Sequence, residues 1–114
     1  MKIVHLICFL FLLQINAQEV VSEEIAMSNG DIMLPGTLSY PDNQDKVPLV
    51  IFIQGSGNVD RDGNQAGTMI QANYIKTLRD SLNSRGIGFY SYDKRTAVGA
   101  NISKLKDIVF EDLI

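Results

Sequence analysis

Pro48-Leu49-Val50-Ile51-Phe52-Ile53-Gln54-Gly55-Ser56-Gly57 is an apolar run without interruption that empties into a Gly-X-Gly turn. A run with no polar alternation fits a strand covered on both faces, the kind found inside a parallel sheet. The turn that follows it exposes consecutive backbone N–H groups at the carboxyl end of the sheet, where open α/β sheets bind their ligands. Donors held there can stabilise the negative oxygen of a tetrahedral intermediate in acyl transfer, by about 3 kcal/mol each. The spacing alone is equally compatible with a tight glycine turn that has no catalytic duty.

Working outward, residues 54–67 form a loop dense in Gly, Asp and Asn. The spacing of Ala72, Ile75, Leu78 and Leu82 then predicts a helix over 69–85, with Gly86 placed as its stop. Residues 87–92 read as a second strand, 93–101 as a polar loop, and 108–114 as the opening of another helix. Upstream, 19–27 and 32–40 alternate polar and apolar residues around Ser28-Asn29-Gly30-Asp31, turn chemistry with Asn-Gly at its centre, and predict an antiparallel hairpin. Pro35-Gly36 interrupts the second hairpin strand and predicts an edge position or a bulge. The order predicts a mixed α/β sheet, its amino-terminal edge antiparallel and its strand-helix-strand part a right-handed crossover between parallel strands.

The first 17 residues read as an export signal: Lys2, a short apolar run from Ile3 to Leu13 broken by His5, and a small residue, Ala17, at a plausible cleavage point. The run is too short for a stable membrane anchor, which needs about 20 apolar residues. A lipoprotein reading at Cys8 fails because too few residues precede it. The expectation is a secreted or periplasmic domain over 18–114. Cleavage would remove the only histidine and the only cysteine, and with them any histidine base, thiol nucleophile or disulfide. It would also remove Lys2 from a chain of 10 basic and 13 acidic residues, leaving a net charge more negative than −3. Such a balance argues against a nucleic-acid partner, since basic patches supply most of that affinity.

Residues 48–61, PLVIFIQGSGNVDR, resemble the oxyanion-loop strand and turn of bacterial α/β-hydrolases of the serine esterase and serine aminopeptidase type. The usual wording there is His-Gly-Ser-Gly followed by an Asp-Arg-Asp or Asn-Arg segment. Asn29-Gly30-Asp31-Ile32 with Gly36-Thr37-Leu38 and Tyr40-Pro41 is similar to the family's first hairpin. Ser84-Arg85-Gly86-Ile87 with Tyr92-Asp93-Lys94-Arg95 is similar to its helix, next strand and following loop. The resemblance implies an incomplete α/β-hydrolase fold in which the Ser56 backbone N–H serves the oxyanion hole and Gly55 and Gly57 permit the turn. Gln54 stands where histidine is usual, and main-chain donors leave room for that change. Asp93 and Arg95 would support the loop, a structural ion pair or hydrogen bond being the more economical reading than substrate contact.

The family presents its nucleophile in a Gly-x-Ser-x-Gly elbow and adds an acid and a histidine further on. No serine here lies in that pattern, so the resemblance implies no catalytic residue within this chain. The elbow would follow the helix that opens near Lys106, and the chain is expected to be an amino-terminal piece truncated before it. The implied substrate, in a full-length parent, is a small ester or peptide, with no cofactor. A different class is a small secreted binding module whose glycine loop holds an anion or a sugar.

Three other motifs fail on spacing. A dinucleotide fingerprint would need glycine at Asp60, and a phosphate loop would need Gly-Lys-Ser or Gly-Lys-Thr. Asp60, Asp62 and Asn64 imitate the first ligands of a calcium loop, yet Gln65 and Gln71 replace its glycine and closing glutamate. No metal site is expected.

Overall fold

A computed structural model describes residues 19–42 and 45–105. The expected export signal and the helix expected to open at 108–114 lie outside those residues. β1 (Val20–Asn29) and β2 (Ile32–Pro41) form the hairpin, followed by β3 (Leu49–Ile51), α1 (Tyr74–Asn83), β4 (Gly88–Tyr92) and a 3-10 helix (Gly99–Lys104). The four strands make one mixed sheet in the order β1-β2-β4-β3. β1 pairs with β2, and β2 with β4, antiparallel, whereas β3 and β4 are parallel. The expected α/β class, antiparallel amino-terminal edge and strand-helix-strand unit are all present.

The hairpin register runs from Val20 opposite Pro41 to Asn29 opposite Ile32, so the two-residue turn is Gly30-Asp31 rather than a turn centred on Asn-Gly. Gly30 takes a φ of 57°, the conformation a glycine in the first turn position supplies at no steric cost. The bulge expected at Pro35-Gly36 does not form and β2 is not an edge strand, although Pro35 itself lies beyond the stretch that β4 pairs. The ladder passes Ala26 opposite Pro35 and Ile25 opposite Gly36 without a slip, and β2 lies inside the sheet. Two local facts explain this. The Pro35 carbonyl accepts from Asp93 N–H just past the end of β4, so the side on which Pro35 lacks a donor is a side where the neighbouring strand has stopped. Gly36 leaves room for the Tyr90 ring, which crosses it to donate to the Ile25 carbonyl at 3.1 Å; a Cβ there would lie 2.4 Å from the Tyr90 oxygen.

α1 is shorter than its apolar spacing predicts, because Asn73 holds a left-handed φ of 50° and nothing before it is helical. Asn64 locks that residue from across the loop: Asn73 N–H donates to Asn64 Oδ1 at 3.0 Å, and Asn64 Nδ2 donates to Asn73 Oδ1 at 3.1 Å. The stop at Gly86 does form. Gly86, at φ 80°, donates to Asn83 O while Ile87 donates to Leu82 O, the paired closure of a Schellman motif. Asn83 turns its amide inward to the carbonyls of Ser39 and Ile87, joining the end of α1 to β2. Ile75 and Phe89 are fully buried, and the Phe52 ring lies 6.0 Å from that of Phe89.

Coverage of β3 on both faces is also overturned. β3 is the outer strand of the described sheet, and Leu49, Ile51 and Ile53 are 50%, 60% and 76% exposed. Pairing with β4 reaches one residue past each end of β3, through Gly88 N–H to Pro48 O and Phe52 N–H to Tyr90 O. The apolar run therefore meets one strand and lacks the second that its composition suits.

Candidate functional site

The chain leaves β3 through Phe52 and Ile53 and turns at Gln54-Gly55-Ser56-Gly57, at the carboxyl ends of the parallel pair β3 and β4. Gln54 is buried and anchors the turn. Its Nε2 donates to Asp60 O at 3.0 Å and to Tyr92 O at 2.7 Å, so one amide joins the loop that leaves β3 to the end of β4. Both partners are carbonyls, which fixes the amide orientation and points Oε1 away from them. That Oε1 is buried and has no partner among the described residues.

Beyond Gln54 the turn is exposed, and Gly57 adopts φ 115°, a conformation that glycine tolerates readily. Among the described residues, none accepts a hydrogen bond from the backbone N–H of Gly55, Ser56 or Gly57. Lys94 extends from the loop after β4 and donates through Nζ to the Gly55 carbonyl. A cation and a short series of free main-chain donors thus share one end of the sheet, an arrangement that can hold negative charge.

Asp93 enters an ion pair rather than the open turn. Arg61 grips it with Nε at 3.1 Å to Oδ1 and Nη2 at 2.9 Å to Oδ2, and the Arg61 backbone N–H adds a third bond at 2.8 Å. Arg61 Nη1 also meets Glu24 on β1 and Thr37 on β2, so one guanidinium spans the hairpin, the glycine loop and the end of β4. The hydrogen bond from Thr37, with a second from Arg61, holds the Glu24 carboxyl below its usual range. The carboxylates hold the Arg61 guanidinium more firmly protonated than usual, the hydrogen bonds it donates to Asp93 outweighing the opposing cost of burial. Ser91 Oγ completes the anchor by donating to Arg61 O at 2.9 Å.

Arg95 makes no hydrogen bond to the turn; its carbonyl accepts from Asn101 Nδ2 at 3.4 Å. Its neighbour Lys94 is the cation that arrives, and the sequence reading missed it. The only signal would have been its place in the same Tyr92-Asp93-Lys94-Arg95 segment. Arg61 lies in the segment that resembles the family's, but nothing local ties it to an aspartate 32 positions away.

The calcium-like residues are committed elsewhere. Asp60 Oδ1 accepts from the backbone N–H groups of Asp62 and Asn64 at 2.9 and 2.8 Å, closing the loop on itself. Asp62 pairs with Arg79 of α1 at 2.9 Å, and Asn64 pairs with Asn73. These bonds tie the glycine loop to the start of the helix.

A charge placed at position 54 probes how far the turn depends on its anchor. Gln54→Glu would aim a buried carboxylate at two carbonyl oxygens, at an expected cost of about 3 kcal/mol at neutral pH. Burial and those oxygens raise the folded-state pKa of the new carboxyl, so the penalty applies above the unfolded-state pKa and fades as the pH falls and the acid regains a proton to donate. Thermal melts at pH 7 and pH 4 should show a larger deficit at pH 7. An equal deficit at both would mean that the carboxylate charge is not what costs stability at this position.

Comparison of the chain with family models, with curated proteins and with solved structures returned no match in any of the three.

Proposed function

We propose that these residues are the first sheet strands and the oxyanion loop of a secreted α/β-hydrolase acting on esters or peptides. The observation that carries the reading is the exposed Ser56 turn, its N–H groups free of described acceptors, at the carboxyl end of β3 in a sheet ordered β1-β2-β4-β3. The open edge of β3 supports it too, because a further parallel strand there would pair the backbone groups that β3 leaves free on that side. In this reading Ser56 and its neighbours supply main-chain donors to the developing oxyanion, and Gln54, Arg61 and Asp93 hold the turn. The nucleophile, acid and histidine would come from residues other than those between Val20 and Ile114. The test is the coding sequence beyond codon 114, read in all frames. A Gly-x-Ser-x-Gly elbow, an acid and a histidine are expected within about 200 residues, the span of an ordinary domain. Their absence overturns the reading.

Lys94 beside Gly55 favours a second reading, a secreted module that binds an anion at the same turn. Titrating the folded chain with inorganic phosphate, with amide chemical shifts as the readout, separates the two. Saturating shifts confined to Gly55, Ser56 and Gly57, in a chain that melts cooperatively as a monomer, support the module. A flat titration removes it.

A further inference from the structure

We propose that Asn29 is a site of spontaneous covalent modification, at which the folded hairpin leaves an asparagine side chain open to attack by the next backbone nitrogen. The described residues include six asparagines: 29, 58, 64, 73, 83 and 101. Five have their carboxamides engaged: Asn58 with Ala66, Asn64 and Asn73 with each other, Asn83 with Ser39 and Ile87, and Asn101 with Met33. Each of the five is followed by a residue with a side chain: Val59, Gln65, Tyr74, Ser84 or Ile102. Asn29 differs on both counts. It is exposed at the end of β1, no described residue bonds its side chain, and glycine follows it.

The geometry of the turn adds two conditions for the reaction. The Gly30 N–H donates to no described acceptor, so the nitrogen that must attack is not withdrawn into the ladder. A Cβ built on Gly30 would meet nothing within 4 Å, so no neighbour crowds the glycine of the turn. Lys104 and Asn101 hold the neighbouring Asp31 and Met33 from one side, but β4 pairs with β2 only over Gly36 to Ser39, and no described residue reaches the Asn29 side chain itself.

In the reaction, Gly30 N loses its proton and bonds to Asn29 Cγ. The Cγ–Nδ2 bond breaks, Nδ2 departs as ammonia carrying that proton, and a cyclic imide remains. Water then opens the imide. Cleavage at Cγ yields aspartate with the backbone intact, and cleavage at the main-chain carbonyl yields isoaspartate, whose extra backbone methylene cannot keep the pairing of Asn29 with Ile32. Either product adds a negative charge beside Asp31.

The full folded chain, incubated at pH 6 and pH 8 and then digested for peptide mass analysis, tests this. The peptide spanning Asn29 should gain about 1 Da ahead of every other asparagine-containing peptide, and about tenfold faster per pH unit, as deprotonation of the attacking nitrogen requires. The rate should be similar in urea, because neither the Asn29 carboxamide nor the Gly30 N–H is engaged by a described residue, and Asn29→Gln should abolish the mass gain. Conversion in urea without conversion in the folded chain would overturn the proposal, and so would earlier conversion at another asparagine.

Discussion

Gly63→Ala is expected to remove about 3 kcal/mol of stability, enough to depopulate the folded state of a small domain. Two costs add at this position. Gly63 is buried with φ 89°, where an alanine pays roughly 1 kcal/mol of backbone strain. Its new Cβ would also lie 2.8 Å from the Ile75 backbone nitrogen and from the Tyr74 ring. The ring can swing aside, but the nitrogen belongs to the first turn of α1 and moves only if the helix moves. Shifting that turn disturbs Ile75, which is fully buried, and the Lys76 N–H bond to Asp62 O that seats the helix on the glycine loop. Overpacking of this kind typically costs a further 1–3 kcal/mol or about that. Gly67→Ala is the matched control, since Gly67 has a similar φ of 75° but nothing within 4 Å of the added carbon. Chemical denaturation should show Gly67→Ala losing only the strain, roughly 1 kcal/mol. If the two variants unfold at the same denaturant concentration, the close approach of loop and helix is not what holds Gly63.

Gly63 also shows where reading the sequence ran out. Elements set by local chemistry were legible: the hairpin around Gly30, the helix stop at Gly86 and the strand that leads into the Gln54 turn all follow from residues within a few positions of each other. The start of α1 was not. Apolar spacing carries a helix back to Met69, but Asn64 holds Asn73 in a left-handed conformation through a side-chain pair nine positions apart. The same holds at the candidate site. Gln54-Gly55-Ser56-Gly57 was visible as a turn, while the Arg61 bridge to Asp93, Glu24 and Thr37 joins segments that meet only after the sheet forms. Reading β3 as covered on both faces failed for a different reason. Composition records the neighbours a strand is suited to, and β3 has only one among the described residues.

Asn101→Ala is expected to cost about 2 kcal/mol and to release one amide proton in particular. β2 runs on past the end of β4, so the residues before Gly36 have no strand on that side. At Met33 a single side chain fills the place. Asn101 Oδ1 accepts from Met33 N–H at 3.1 Å and Asn101 Nδ2 donates to Met33 O at 2.7 Å, which is how a strand residue would pair. A carboxamide can do this because it carries the donor and acceptor of a peptide group. Asn101 is fully buried, and Lys104 Nζ on the same 3-10 helix donates to Asp31 O, so this segment clamps the start of β2 in two places. Alanine would leave both Met33 groups to water and open a small void under the 3-10 helix. Asn101→Asp should be no better at neutral pH, because a carboxylate keeps the acceptor but faces Met33 O with a second negative oxygen. Hydrogen exchange gives the test: Met33 N–H should be protected in the parent chain and exchange freely in Asn101→Ala, while Phe89 N–H, in the middle of the sheet, loses protection only to the extent that global stability falls. Rapid exchange of Met33 in the parent chain would mean that the carboxamide does not act as a strand, and that the first residues of β2 are held by β1 alone.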